Sequence, residues 1–454
     1  MKSNEKASWM NAAEEELSSI EGHEVWEDFE LVPESFLQTT WVFRTKPATL
    51  SAKEKKKAQL CIQGFSQIEG VDYGENFAPT GKFTTLLMCL MFAIDKKLPI
   101  RQFDVKSAFL YAPLKEELYI KTPEGSKRKS LFLRLKKSLY GLKQAPANWY
   151  ETLTSWFTEI NFLQSASDPC LYINRDRNSI IFFHVDNLVV VGNVDAFEAL
   201  FLNRFPNSTA HDPDTFLGMD VEIEPDNITL SQDKLIQKGI DLLGLNDCKP
   251  VNTPLSVGIQ LEKASKEELA AFKELNINYR TFTGILNYLS CRTQPDLAPE
   301  VSILSSFNNE PGMNHWKQVV HSWKYVKGTR HLHLKLRPNP EDNSNSLQHY
   351  TDATWTDDLE TRLSRSGSIC FWKSCPVAWN SKKQKNITLS STEAEMNALS
   401  DGVQENQWIK YLVEELWNEK LQPTSFHIDN KGLLEKIKQF SSNPKTKHLD
   451  IKMK

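Results

Sequence analysis

Two short stretches carry acidic side chains at positions where a pair of metal ions could act on a phosphate. Residues 180–192 read IIFFHVDNLVVVG, and the two apolar runs around a polar centre predict a tight β-hairpin with Asp186 at its tip. Asp104 follows a second short apolar run, within residues 100–112. Two carboxylates on neighbouring strands can hold two Mg²⁺ ions that activate a 3′-hydroxyl and stabilise a leaving pyrophosphate. Spacing alone does not show that the two acids meet, and an Asp-Asn hairpin by itself is more often only a turn.

The segments around these two acids resemble a known protein family. Residues 103–125 (FDVKSAFLYAPLKEELYIKTPEG) and 135–150 (LKKSLYGLKQAPANWY) are similar to the palm of copia-type retrotransposon reverse transcriptases. HVDN at residues 184–187 resembles that family's Tyr-Val-Asp-Asp motif, and the resemblance covers nearly the whole chain. It implies an RNA-directed DNA polymerase that binds an RNA template, a DNA primer and dNTPs. The two acids would be catalytic ligands of two Mg²⁺ ions, with Mn²⁺ as the alternative.

The resemblance also implies nucleotide- or template-binding residues, and two expected cations are missing among them. Lys57 remains from the family's Lys-Ala-Arg-Leu stretch, but Gln59 stands in place of its Arg. A neutral side chain cannot supply a charge-assisted contact to a triphosphate. Gln144, in LYGLKQAP, matches a position where the family contacts nucleotide or template, and Ala147 replaces a common Arg.

Two more residues near the acids bear on nucleotide chemistry. Phe109 lies where reverse transcriptases place an aromatic beneath the sugar to exclude a 2′-hydroxyl, although without the family match it would be ordinary core. Asn187 offers a neutral carbonyl where the family has a second carboxylate. Because each negative charge matters beside two Mg²⁺ ions, this change and His184 in place of Tyr predict an impaired polymerase site.

A second set of acids lies near the C-terminus. LSSTEAEMNALS and KTKHLDIK strongly resemble the copia-type ribonuclease H, and the strand, helix, strand order of the acids suits that fold. Four carboxylates can converge on two Mg²⁺ ions and activate water against the RNA strand of an RNA–DNA hybrid. The implied catalytic and metal-binding residues are Asp352, Glu395, Asp429 and Asp450.

Glu395 is preferred over Glu393 because Glu-Met-Asn-Ala matches the fold's catalytic Glu-Leu-x-Ala. Glu393 would point about 200° away from that face at helical periodicity. Solvated helix and strand ends remain the alternative explanation for these acids. The chain stops soon after Asp450, where family members continue into a final helix, so a frayed terminus is expected there.

The elements that must position these residues predict an α+β multidomain chain. The resemblance implies a right-hand polymerase with fingers, palm and thumb or connection, followed by a ribonuclease H-like α/β domain. The predicted segments are residues 1–40 (N-terminal helix and lead-in), 41–247 (fingers and palm), 248–345 (thumb- or connection-like helices and linker) and 346–454 (ribonuclease H-like domain, short at its C-terminus).

Local patterns predict the main elements within these segments. Apolar residues at three- or four-residue spacing in residues 1–34 predict an amphipathic helix. In a helical region at 279–336, Trp316 and Trp323 are more often core than duplex lining. A linker at 337–347 suggests that residues 337–454 could fold alone. Further predicted elements are a buried palm helix at 83–94, a hairpin at 216–232 and a short helix at 233–244 stopped by Gly244.

The composition is that of an ordinary globular protein. A chain of 454 residues with 40% hydrophobic and 25% charged residues predicts two to four domains with ample cores. The longest apolar run, residues 86–94, is too short to span a bilayer, and the N-terminus lacks a secretory signal. Seven cysteines without a CxxC pair predict reduced thiols. We expect no membrane partner, and a location in a cytoplasmic retroelement particle or the nucleus.

The charge is unevenly distributed. Residues 1–34 hold ten acidic residues and two lysines, a balance of −8, so the net charge of −4 leaves +4 for the remainder. Basic clusters can neutralise phosphates, although lysine runs also simply solvate a surface. The clusters are residues 53–57, 127–129, 134–137 and 382–385.

The sequence leaves two functions from different classes. The first is an RNA-directed DNA polymerase with ribonuclease H activity, from a copia-type retroelement, whose partners include other products of the same polyprotein. The second is a catalytically inactive nucleic-acid-binding remnant, which the four departures at His184, Asn187, Gln59 and Ala147 favour. A scaffolding role has no positive feature in the sequence.

Overall fold

The computed structural model describes residues 5–46 and 54–439, which form helices and mainly antiparallel sheets. In chain order the helices are α1 (Lys6–Gly22), α2 (Phe83–Lys96), α3 (Ala145–Glu159), α4 (Val194–Arg204), α5 (Asp233–Leu243), α6 (Lys266–Glu274), α7 (Tyr279–Ser290), α8 (Ala298–Ser305), α9 (Met313–Thr329), α10 (Ser391–Trp417) and α11 (Lys431–Gln439). The strands are β1 (Trp26–Phe29), β2 (Thr39–Lys46), β3 (Lys55–Ile62), β4 (Ile100–Asp104), β5 (Tyr119–Lys121), β6 (Phe132–Leu135), β7 (Phe162–Gln164), β8 (Leu171–Asn174), β9 (Ser179–His184), β10 (Asn187–Gly192), β11 (Thr209–His211), β12 (Thr215–Phe216), β13 (Met219–Glu224), β14 (Asn227–Ser231), β15 (Leu334–Leu336), β16 (Gln348–Thr354), β17 (Leu363–Trp372), β18 (Cys375–Ile387) and β19 (Ser425–His427).

The chain divides into two compact units. The first unit is Met1–Thr85 with Pro99–Asp214, and the second is Leu86–Leu98 with Thr215–Lys454. Mixed α and β elements in both units agree with the predicted α+β class. Among the described residues, no helix combines the length and the apolar character that crossing a bilayer requires.

A six-stranded sheet forms the centre of the first unit, with strand order β11-β4-β10-β9-β8-β7. Its middle strands β9 and β10 are continuous apolar runs, which is typical of strands that are buried on both faces. The aromatic side chains of Phe103, Phe183, Trp149 and Phe201 share one buried cluster that joins β4 and β9 to α3 and α4. This core supports the end of the sheet at which β4 ends and β10 begins.

The helix predicted for residues 1–34 is wrong beyond Gly22, where α1 ends. The chain turns at Glu24, whose φ is 52°, and continues as β1. In β1 the buried Trp26 pairs with Leu135 of β6. Pairing with a strand more than a hundred residues away overrides the local helical pattern, which is a tertiary effect that periodicity does not contain.

Helices α5 to α9 and a second sheet, β12-β13-β14-β15, form the first part of the second unit. Its predicted hairpin is confirmed by the pairing of β13 with β14. The helix α5 ends as predicted at Gly244, which adopts a left-handed φ of 63° that glycine tolerates. Trp316 and Trp323 are 7% and 0% exposed, so the prediction that they belong to the core is confirmed.

The last part of the second unit is a four-stranded sheet, here called the C-terminal sheet, in the order β18-β17-β16-β19. Strand β16 is parallel to β19 and antiparallel to β17. The long helix α10 packs on β16 at Gly402, where an added Cβ would lie 2.6 Å from Thr351 Cγ2. This close approach holds the middle of α10 against β16.

The predicted buried helix at residues 83–94 is confirmed as α2. Its residues from Leu86 onwards belong to the second unit. Asp95 near the end of α2 accepts hydrogen bonds from Lys373 Nζ at 2.5 Å and from Trp417 Nε1 at 2.7 Å. The ring of Phe92 meets that of Trp417 edge to face at 5.3 Å. Helix α2 therefore contacts both the C-terminal sheet and the end of α10.

Candidate active sites

The first acid, Asp186, lies in a two-residue turn between β9 and β10, as the hairpin pattern predicts. Its neighbour Val185 has a φ of 61°, which a β-branched residue rarely adopts. Trp149 Nε1 donates to Val185 O at 2.7 Å, so the buried core holds the turn in this conformation. A strained turn fixed by packing gives Asp186 a defined backbone position.

Strand pairing places Asp104 at the same end of the sheet as Asp186. Asp104 pairs directly with Asn187 across β4 and β10, and Val105 N donates to Asp186 O at 2.9 Å. Side chains of directly paired residues lie on one face, so Asn187 and Asp104 are neighbours. Asn187 Nδ2 donates to Asp186 Oδ1 at 2.9 Å, which occupies one oxygen of that carboxylate.

Tyr140, which the sequence patterns did not single out, lies next to two residues that the resemblance assigns to nucleotide binding. Its ring lies 5.1 Å from that of Phe109, and Lys57 Nζ lies 6.0 Å from its centroid. Burial raises the pKa of the Tyr140 hydroxyl, and the charges of Asp186 and Asp104 are among the groups that raise it further. The signal was present, since Tyr140 is the aromatic residue of the YGLKQ segment that carried the resemblance.

Phe109 and Gln144 have different surroundings. Phe109 is half-buried and packs against two apolar clusters of the first unit, so part of its ring remains accessible. Gln144 is 1% exposed. Its Nε2 donates to Asp72 O, and its Oε1 accepts from Gln67 Nε2, both at 3.0 Å. The Gln144 amide therefore holds the loop that contains Gln67 and Asp72, and the structure does not bring it to the surface.

In the second unit, three of the predicted acids come together. Oxygen atoms of Asp352, Glu395 and Asp429 lie within 4.8 Å of one another. Asp352 is on β16, Glu395 is near the start of α10, and Asp429 follows β19. Asp450, the fourth predicted acid, lies outside the described residues. Strand, helix and strand therefore deliver one carboxylate each to a single point.

The electrostatics of this cluster favour a bound cation. Glu395 is 5% exposed, and its Oε2 has no hydrogen-bond partner. Burial raises the pKa of Glu395 to about 7, and the charges of Asp352 and Asp429 add to the rise. Carboxylate oxygens are the ligands that Mg²⁺ and Mn²⁺ prefer. The three acids therefore fit a divalent ion, which would remove the repulsion among them.

Glu393 and Glu395 have separate roles at the start of α10. Glu393 N donates to the N-cap side chain Ser390 Oγ at 3.2 Å, and Glu393 Oε2 accepts from Leu389 N at 2.7 Å. These bonds are typical of a capping residue. Glu393 therefore satisfies the helix end, while Glu395 lies with the other acids.

The chain is similar to known proteins over nearly its whole length. A sequence model of the family described as reverse transcriptase (RNA-dependent DNA polymerase) matches residues 26–257.

The chain is 31% identical to the retrovirus-related Pol polyprotein from transposon TNT 1-94 of Nicotiana tabacum, covering 99% of this chain and 34% of that protein. It is 32% identical to the retrovirus-related Pol polyprotein from transposon RE2 of Arabidopsis thaliana, covering 93% of this chain and 29% of that protein. A transposon Ty5-1 protein of Saccharomyces cerevisiae is 28% identical, over 66% of this chain and 99% of its own length. The chain thus spans about a third of the length of the two plant polyproteins.

Proposed function

Because the chain belongs to the copia-type retrotransposon reverse transcriptase family, we propose that it carries a weakened RNA-directed DNA polymerase site and a separate ribonuclease H site. One contrast carries the proposal. The second unit holds three carboxylates within 4.8 Å. The first unit has the amide of Asn187 beside the carboxylates of Asp104 and Asp186.

The proposed domain roles follow the sheets and helices. The hairpin of β2 and β3 and the six-stranded sheet support fingers and palm over residues 41–247, after the lead-in at 1–40. Helices α6 to α9 support a thumb or connection at 248–345. The C-terminal sheet with α10 supports a ribonuclease H-like domain at 346–454.

In the polymerase, Asp104 and Asp186 would hold Mg²⁺ at the end of the paired strands β4 and β10. When bound, the ions supply positive charge to the attacking 3′-hydroxyl and the leaving pyrophosphate. Phe109 and Tyr140 would wall the nucleotide sugar, and Lys57 would meet a phosphate. Ligands would be the RNA template, the DNA primer and dNTPs. Asn187 leaves the site one negative charge short, which weakens the binding of the second cation.

In the nuclease, Asp352, Glu395 and Asp429 would hold the ions together with Asp450. When bound, the ions supply a nucleophilic water and neutralise charge at the RNA phosphate of an RNA–DNA hybrid. Burial and the charges of Asp352 and Asp429 raise the pKa of Glu395 to about 7. A bound cation would favour the deprotonated carboxylate oxygen. Burial of Glu395 then keeps solvent from competing for that oxygen.

A catalytically inactive nucleic-acid-binding remnant is the second candidate, and a specific contact favours it for the first unit. The hydrogen bond from Asn187 to Asp186 occupies a carboxylate oxygen that a metal ion would need. Gln59 and Ala147 also lack the positive charge expected there. The two candidates differ in whether any primer is extended.

Primer extension with purified protein separates them. We expect the unmodified chain to extend a primer on an RNA template weakly, and Asn187→Asp to raise the rate about tenfold or more because it restores a charge at the reacting centre. Asn178→Asp, in an exposed turn of the same unit, is the matched control and should change nothing. An unmodified chain that extends primers as well as Asn187→Asp does would contradict the weakened site.

A further inference from the structure

The acidic helix α1 lies along strand β3 in the first unit. β2 pairs with β3 on one side, and on the other side Leu60 N of β3 donates to Glu16 Oε1 of α1 at 3.3 Å. Glu16 is 9% exposed, and Ile20, about one turn later on α1, is 0% exposed. Burial of these two side chains holds α1 in place beside β3.

Towards the start of α1, its acids form ion pairs with lysines of β3. Lys55 Nζ lies 2.7 Å from Glu15 Oε2, and Lys56 Nζ lies 3.2 Å from Glu5 Oε1. The side chains of Lys55 and Glu15 are 64% and 63% exposed. Ion pairs between exposed side chains contribute little to stability, because water and salt compete with them. Another anion can therefore displace Glu15 from Lys55 while the helix stays folded.

Three cations of the β2–β3 hairpin project from one face, here called the cationic face. Arg44 of β2 pairs directly with Lys57 of β3, and directly paired residues share a face. Lys55 lies two residues before Lys57 on β3, so its side chain points the same way. Like charges opposite each other on a sheet repel, and a bound anion relieves that repulsion. A row of such cations suits the row of phosphates along a nucleic-acid strand.

We propose that Glu15 of α1 competes with the backbone phosphates of a nucleic-acid strand for Lys55 on the cationic face. When the strand binds, the Lys55–Glu15 pair opens and the Glu15 carboxylate turns into water, while the buried Ile20 keeps α1 in place. Helix α1 thereby weakens the binding of nucleic acid by this face. The inference rests on the proposed binding of template and primer, and it adds Arg44 and Lys55 as phosphate contacts and α1 as their competitor.

Fluorescence anisotropy of the full chain with a labelled DNA primer annealed to an RNA template tests this competition. Mg²⁺ and dNTPs are omitted, so that binding is measured without extension. Glu15→Gln should raise the affinity about two- to fivefold at low salt, which is what an exposed ion pair contributes. The gain should shrink as added salt screens the charges. The matched control is Glu14→Gln, an exposed acid of the same helix, which changes the net charge equally and should give a smaller gain.

A double-mutant cycle with Lys55→Gln separates local competition from net charge. Lys55→Gln should lower the affinity, and in that background Glu15→Gln should change it no more than Glu14→Gln does. Equal gains from Glu15→Gln and Glu14→Gln in the otherwise unmodified chain would overturn the competition. So would a gain from Glu15→Gln that persists with Lys55→Gln. A folded chain that binds no primer–template would contradict the proposed function as well, whereas binding with equal gains would contradict the competition alone.

Discussion

At the scale of single residues, the proposed polymerase and nuclease sites differ in whether their acidic oxygens already have hydrogen-bond partners. In the first unit, Asn187 Nδ2 donates a hydrogen bond to Asp186 Oδ1 at 2.9 Å. In the other unit, Glu395 Oε2 is buried without a partner. A buried acceptor without a partner is costly unless a ligand satisfies it, whereas a satisfied carboxylate oxygen has less to gain from a metal ion. A buried acceptor that a cation would satisfy therefore lies in the second unit.

A substitution at Phe109 tests whether its ring lies against the nucleotide sugar. In the Asn187→Asp background, Phe109→Ala should lower the preference for deoxynucleotides over ribonucleotides by about tenfold, because space opens for a 2′-hydroxyl. Phe132→Ala, another half-buried aromatic of the first unit, is the matched control. The measurement is the ratio of incorporation rates for dNTP and rNTP. An unchanged ratio would make Phe109 ordinary core.

Glu300 predicts how stability depends on pH. It is 2% exposed, its Oε1 has no partner, and burial with Asp296 nearby raises its pKa to about 8 from 4.5. The folded state therefore keeps a proton that the unfolded state has lost, so stability falls as pH rises from about 4.5 to 8. The loss is on the order of 5 kcal/mol.

Glu300→Gln should remove that contribution, so urea midpoints at pH 6 and pH 8.5 should differ less than in the unmodified chain. Glu310→Gln, whose side chain is 60% exposed, is the control and should retain the full difference. If Glu300→Gln shows the same pH dependence as the unmodified chain, then Glu300 is not the group responsible.

At the scale of elements, α2 decides whether the C-terminal region is independent. Trp372 and Trp417 are 2% and 5% exposed, and Phe92 of α2 meets the ring of Trp417. Asp95 binds both Lys373 and Trp417. A segment that begins at residue 337 would lack these contacts. We therefore expect it to be less stable alone than its linker suggests, because apolar rings and buried donors would be exposed.

Asp95→Ala should destabilise the region by about 2–4 kcal/mol, because two partly buried donors lose their acceptor. Amide exchange in α2 and in the last turns of α10 should accelerate. Lys96→Ala is the neighbouring control, since its ion pair with Glu419 is exposed and such pairs contribute little. Equal exchange in the two variants would refute the role of Asp95.

Elements defined by local signals could be predicted, and those defined by distant partners could not. The hairpin around Asp186 and the stop at Gly244 follow from turn and cap chemistry written in adjacent residues. The end of α1, the contacts of Asp95 and the place of Tyr140 depend on residues far along the chain. The family resemblance identifies the acids in the sequence. Their proximity depends on the pairing of β16 with β19, which brings Asp352 towards Asp429.

At the scale of the whole molecule, each compact unit contains one acid set. Asp104 and Asp186 belong to the first unit, and Asp352, Glu395 and Asp429 belong to the second. The two sets share no helix or strand. Because they share no partners, substitutions in one set should leave the activity of the other unchanged. The central claim is that the nuclease chemistry is better preserved than the polymerase chemistry.

Cleavage of the labelled RNA strand in an RNA–DNA hybrid, with Mg²⁺ or Mn²⁺, tests that claim most directly. The unmodified chain, Asn187→Asp and the control Asp401→Asn, an exposed acid of α10, should all cleave. Asp352→Asn should lose about a hundredfold or more, since even outer partners of metal ligands cost up to that much. Cleavage that survives Asp352→Asn, or no cleavage by a folded chain, would contradict the account.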